Sequence, residues 1–163
     1  MALPPQPSDS LVTFRVEDLL LGLDLEAVVR IERAAAVTPL NGAPPCLMGV
    51  LNHHGRILPV LDLRRRLGLP TRPLAPSDQF LLVRCGLRTV VVPIDRVEGL
   101  VSPAPLTSPE EALGIPLEGL GLMPSENGIT MIQDPDLLLN PVEDAAFESA
   151  LAGSQPSGSE FPA

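Results

Sequence analysis

The sequence contains no tryptophan, no tyrosine and no lysine, with only four phenylalanines, two cysteines and two histidines in 163 residues. Each scarcity excludes something. Base stacking on aromatic side chains, a mainstay of single-stranded nucleic-acid binding, has almost nothing to use. A formal net charge of −9 opposes general attraction to a phosphate backbone. Without lysine no GxxxxGK phosphate loop can form. The two cysteines, Cys46 and Cys85, form no CxxC pair and offer no disulfide framework, which fits a reducing compartment. The opening "MALPPQPSDS" lacks the basic and apolar regions of a secretory leader, and no apolar run is long enough to span a bilayer. These absences predict a soluble, cytoplasmic protein that binds no nucleic acid and does not insert directly into a membrane.

What is present is a core of Leu, Val and Ile: 45% of residues are hydrophobic. The length suits one domain or two very small ones. Twenty prolines argue against long helices. The charge is uneven. Residues 1–72 hold eight Arg against seven acids, and residues 73–163 hold three Arg against thirteen. Any anionic partner is therefore expected on the first half. The use of Arg for every basic residue reads as genome composition. Residues 1–9 and 153–163, rich in Pro, Ser and Gly, read as disordered tails.

A pattern recurs four times: an apolar run, an Asp, then a short amphipathic stretch. The copies are "LLLGLDLEAVV" (19–29), "ILPVLDLRRRL" (57–67), "VVVPIDRVEGL" (90–100) and "ITMIQDPDLLL" (129–139). An Asp at a strand-to-helix junction accepts hydrogen bonds from the unpaired N–H groups of the first turn. Asp24, Asp62, Asp95 and Asp134 are therefore expected to be helix caps. The repeat predicts two similar halves that break in the Pro-rich "GLPTRPLAPSD" (68–78): a first barrel over about 10–70, a second over about 71–140, and a closing helix over 142–151. Strands are expected near 11–17, 19–23, 34–38, 49–53, 56–61, 79–85, 88–94, 117–123 and 128–133. Short helices are expected near 25–30, 63–67, 96–99 and 135–139. The fold class is mostly β, built of small barrels.

Candidates for chemistry are few. His53 and His54 sit in "NHHG" (52–55), which reads as a hairpin turn with Asn52 and Gly55 as turn residues. Neighbours in a strand point to opposite faces, so the two rings are not expected to share a metal, and no carboxylate partner is evident. Neither cysteine lies in a nucleophile motif, and both read as small buried or half-exposed thiols. No catalytic, metal or cofactor residue is assigned, and the chain is expected not to be an enzyme. A small hydrolase or metal site at His53/His54 is the alternative of another class. Arg64, Arg65 and Arg66 read either as a solvated helix face or as a docking patch for an anion or partner.

Four blocks in order resemble the CheW-like family of bacterial chemotaxis adaptors: "LVTFRVEDLLLGLDLEAVVRI" (11–31), "PLNGAPPCLMGVLNHHGRILPVLDLRRRLGL" (39–69), "QFLLVRCGLRTVVVPIDRVEGLV" (79–101) and "LEGLGLMPSENGITMIQDPDLLL" (117–139). The second is the most specific, with the pattern "GV-x-N…PV-x-DL…LG". The resemblance implies two packed five-stranded Src-homology-3-like β-barrels with short helices. It also implies a non-catalytic adaptor that links the signalling tip of a chemoreceptor to the regulatory domain of a histidine autokinase. By position, Val28, Ile31, Val50, Leu51, Asn52 and Val91 match apolar or neighbouring positions near the receptor groove. Departures fall on the contact surface. His53 and His54 replace the Leu and Arg of the family's "NLRG", and Arg30 stands where the family often has an acid. These changes imply a divergent adaptor, with receptor binding kept and kinase binding weakened. A regulatory or decoy barrel that modulates the array without bridging it is the related alternative.

Overall fold

A computed structural model describes residues 9–114, 119–126 and 128–154. The expected tail segments 1–8 and 155–163, and residues 117 and 118 of an expected strand, lie outside them.

Among the described residues the short Val/Leu/Ile runs form ten strands. They are β1 (Leu11–Val16), β2 (Leu19–Asp24), β3 (Val28–Arg33), β4 (Leu47–His53), β5 (Arg56–Leu61), β6 (Gln79–Cys85), β7 (Arg88–Ile94), β8 (Arg96–Val101), β9 (Leu120–Ser125) and β10 (Gly128–Gln133). Three α-helices accompany them: α1 (Leu63–Arg66), α2 (Pro109–Leu113) and α3 (Pro141–Ser154). The last turn of α3 takes in Gly153 and Ser154, where a tail was expected.

The strands form two five-stranded sheets, in the orders β8-β1-β2-β10-β9 and β3-β6-β7-β5-β4. The expected division at residue 70 is therefore overturned, because each sheet draws strands from both halves. The internal repeat itself survives in a different form. In each half the chain makes a hairpin (β1-β2, then β6-β7), an edge strand (β3, then β8) and a second hairpin (β4-β5, then β9-β10). The first hairpin of one half pairs with the edge strand and second hairpin of the other half. The second hairpin joins in parallel, β10 on β2 and β5 on β7. The halves are repeats in sequence and exchange strands in space. The physical reason is a shared core. Phe14, Leu21 and Leu23 of one sheet pack with Leu61, Leu81, Val90 and Ile94 of the other, and with Leu63 of α1 and Phe147 of α3.

Three of the four repeated aspartates cap as expected. Asp24 accepts from the Glu26 N–H, Asp62 from the Arg65 N–H and Asp134 from the Asp136 N–H. The helical turns after Asp24 and Asp134 are single 3₁₀ turns, 25–27 and 135–137. Asp95 is not a helix cap, and 96–99 is not a helix: β8 starts at the next residue, leaving no room for a turn. Its carboxylate instead accepts from the Arg64 and Arg72 guanidiniums at 2.7 and 2.9 Å and from the Glu17 N–H at 3.0 Å. The strand expected at 34–38 is replaced by β3 at 28–33, where a helix was expected. "VVRIER" alternates weakly and all six of its residues are half-buried or exposed edge positions next to one partner strand, so its period was ambiguous.

After β3 the chain returns to meet β4, where Thr38 and Val50 exchange backbone hydrogen bonds of 2.9 and 2.8 Å. This closes the second sheet on itself. The approach is so close that a Cβ on Gly49 would lie 2.2 Å from the Thr38 carbonyl oxygen. In the Pro-rich 67–78 connection, Arg72 holds buried Asp78 through two hydrogen bonds of 2.8 Å.

Two predictions follow from these contacts. Gly49→Ala should force Thr38 away and lower the unfolding free energy by about 2 kcal/mol, as overpacking does, measured by urea denaturation. The Arg72 guanidinium holds the Asp78 carboxyl below its ordinary value of 3.8, against the opposing effect of burial. A depressed folded value contributes stability above the unfolded value and loses it as pH falls. Asp78→Asn should therefore lower stability by a difference that is constant above about pH 5 and shrinks below about pH 4, read from thermal unfolding across that range.

Candidate functional site

The β4-β5 hairpin carries both histidines. His53 ends β4 and pairs with Arg56 across the turn. His54 and Gly55 occupy the two central positions with φ of 52° and 85°, the signature of a type I′ turn, whose twist matches that of the strands. The Asn52 side chain accepts from the Gly55 N–H at 2.9 Å and fixes the turn. Because His54 is left-handed, the strand rule of opposite faces does not apply to it. The two rings meet edge to face, with centroids 4.4 Å apart. The expectation that the histidines point apart is therefore overturned.

A carboxylate is also present that the sequence did not single out. Glu32 of β3 lies 2.8 Å from His53 Nε2 and 2.8 Å from Arg30 Nε. Its hydrogen bond to His53 holds the Glu32 carboxyl below the usual range, against the effect of burial and with the help of Arg30. Arg30 thus has its own acid two residues away on the same strand and does not depend on residue 54. The signal was the Arg30–Glu32 spacing of two, which places both on one face of a strand. It was hidden because 25–30 read as helix.

On the neighbouring surface β3 is exposed and apolar: Val29 and Ile31 are about half exposed (48% and 44%), beside Leu25 at 40%. Val28 and Val50 are partly buried against the main core, and Asn52 is an exposed turn residue. Leu51 and Val91 lie in the core of the second sheet with Val60 and Phe80. Their side chains contribute packing there, and the outward face is made by Val29 and Ile31.

The three arginines of α1 are not an open anion patch. Arg64 pairs with Glu17 and Asp95, and Arg66 makes a two-pronged contact with Glu143 of α3 at 2.8 and 2.9 Å. Arg65 is exposed and contributes its N–H to the Asp62 cap. Arg64 and Arg66 hold the sheets and the closing helix together.

A family profile described as the CheW-like domain matches residues 10–143. The chain belongs to the CheW-like domain family. Among CheW-like relatives, protein FrzA of Myxococcus xanthus is 37% identical over 100 residues, 61% of this chain and 62% of that protein. The chemotaxis protein CheW of Rhizobium meliloti (strain 1021) is 28% identical over 92 residues, 56% of this chain and 59% of that protein. The matches thus span about 60% of the length of these relatives. The crystal structure of the scaffolding protein TtCheW from Thermoanaerobacter tengcongensis superposes with a TM-score of 0.72 at 20% identity, covering 83% of this chain and 94% of that one. The CheW-like fold is accordingly two Src-homology-3-like β-barrels, and each sheet described above is one of them. No described helix is long and apolar enough to cross a membrane.

The cysteines of this CheW-like domain are poorly suited to nucleophilic chemistry. Burial, with Glu143 nearby, pushes the Cys46 thiol up to about 11. Burial also raises Cys85, whose thiol lies 3.5 Å from the Leu139 carbonyl oxygen. The thiolate is the reactive form. Native Cys46 should therefore react with iodoacetamide at pH 8 at least about tenfold more slowly than in the urea-unfolded chain, as followed by mass spectrometry.

Proposed function

We propose that the protein is a non-catalytic, cytoplasmic adaptor of bacterial chemosensory signalling that joins the signalling tip of a chemoreceptor to the regulatory domain of a histidine autokinase. The observation that carries this reading is the family match over residues 10–143, nearly the whole described chain. Relatives named as chemotaxis proteins and a scaffolding protein of the same fold support it. Burial raises both thiols, which makes each cysteine a weak nucleophile. The exposed face of β3 suits a helical partner. Val29 and Ile31 offer apolar anchors of the kind an amphipathic helix seeks, and Val28, Val50 and Asn52 are further candidates for that contact.

The adaptor keeps its receptor contact and has a weakened kinase contact. The motivation is the rearranged charge beside the β4-β5 turn, where Arg30 and His53 both converge on Glu32 and His54 stands in the place of an arginine.

Binding is tested by mixing the purified full chain with a receptor signalling domain and, separately, with the kinase. Association with neither, under conditions where an ordinary CheW binds both, would sink the proposal. Ile31→Glu should weaken receptor binding by at least about tenfold and leave the unfolding midpoint nearly unchanged, because the side chain is half exposed. For the kinase, the double variant Arg30→Glu/His54→Arg should retain more kinase in a pull-down than the wild type. Strong kinase binding by the wild type would refute the weakened contact.

A further inference from the structure

Glu32, His53 and His54 bring their ligand atoms within 4.8 Å of one another, a metal-ligating arrangement that an adaptor role does not require. We infer that these three residues form a surface site for a divalent transition metal, zinc first, which clips β3 to the β4-β5 turn. The inference does not depend on the signalling role.

Imidazole nitrogens with a carboxylate oxygen suit zinc and its neighbours. A tetrahedral zinc with bonds of about 2.0–2.2 Å holds neighbouring ligand atoms roughly 3.3–3.5 Å apart. Glu32 Oε1 and His53 Nε2 stand at 2.8 Å, so an ion that replaces their shared proton needs them to open only slightly. The third ligand, His54, is exposed and must close in. Its backbone is already set: the left-handed turn, tied by Asn52, swings the ring to the side of His53. Two adjacent histidines in an extended strand could not do this. The first two ligands are well shielded, with side-chain exposures of 16% for His53 and 25% for Glu32. They come from β3 and β4, the two edge strands of that sheet, so a bound ion adds a bond across the closure of the barrel. The fourth position faces outward, open to water or to a ligand from a docked partner.

Two cations oppose the ion. Arg30 Nε sits 2.8 Å from the same Glu32 oxygen, and Arg56 lies opposite His53 in the pairing register. The Arg30 side chain is 60% exposed and is free to swing outward. Its removal should tighten the site.

The test uses the untagged full chain, stripped with a chelator and titrated with zinc chloride by calorimetry. A parallel titration with cobalt(II) is followed by visible absorption. The site predicts one zinc per chain, a tetrahedral cobalt spectrum and a rise in the thermal midpoint on adding zinc. His54→Asn, which suits the left-handed turn, and Glu32→Gln should each weaken zinc binding at least about tenfold and abolish the thermal shift, while remaining folded by circular dichroism. Arg30→Ala should bind zinc more tightly than wild type. Failure to take up one zinc per chain overturns the inference. So does uptake lost in His54→Asn but untouched in Glu32→Gln, which would reduce the site to a histidine pair.

Discussion

The structure depends on one apolar cluster that belongs to neither sheet alone. Phe14, Leu21 and Leu23 reach it from one barrel, Leu61, Leu81, Val90 and Ile94 from the other, and Phe147 covers it from α3. A barrel of five short strands in a chain with almost no large aromatics encloses little apolar volume of its own. Merging two such barrels removes more surface from water than either could alone. Strand exchange follows from the same constraint. Because each half gives one hairpin to each barrel, neither half can close a barrel without the other.

The polar contacts serve the same junctions. The chain crosses from one sheet to the other at Asp24 and returns at Asp95. At Asp95, Arg64 and Arg72 converge from the α1 region and the Glu17 N–H from the first hairpin. A carboxylate that accepts from two guanidiniums and a backbone N–H has most of its lone pairs satisfied, which makes its partial burial tolerable. At the far end, Arg66 of α1 and Arg88 of β7 bind Glu143, Asp144 and Glu148 along α3, and the Arg88 guanidinium also lies 4.9 Å from the Phe147 ring. Arginine suits these places because one planar group can serve two acceptors at once. Much of the acidic excess of the second half is thus matched with arginines on the first half and on β7.

The region around the β4-β5 turn shows how little separates packing from recognition here. Asn52 locks the turn and Gly49 admits Thr38. Glu32 reaches across to His53, so the closure of the barrel and the only histidines of the chain occupy one corner. Val29 and Ile31, on the same strand as Glu32, face outward. Leu51 and Val91, which the family resemblance places near a receptor groove, are interior side chains of the second sheet.

The sequence by itself determined the mostly β fold, most strand positions, the hairpin at "NHHG", the caps at Asp24, Asp62 and Asp134, and the family. Each is written in short-range chemistry: alternation and apolar runs, turn residues, an Asp at a junction, or a motif of contiguous residues. Only the tertiary structure decided which strands share a barrel, that Asp95 binds arginines in place of a helix, that β3 is a strand, and that Glu32 bonds His53 and lies near His54. Pairing between residues far apart in the chain leaves no periodic trace in either segment. An aspartate looks the same in sequence whether the group it accepts from lies two residues away or more than seventy.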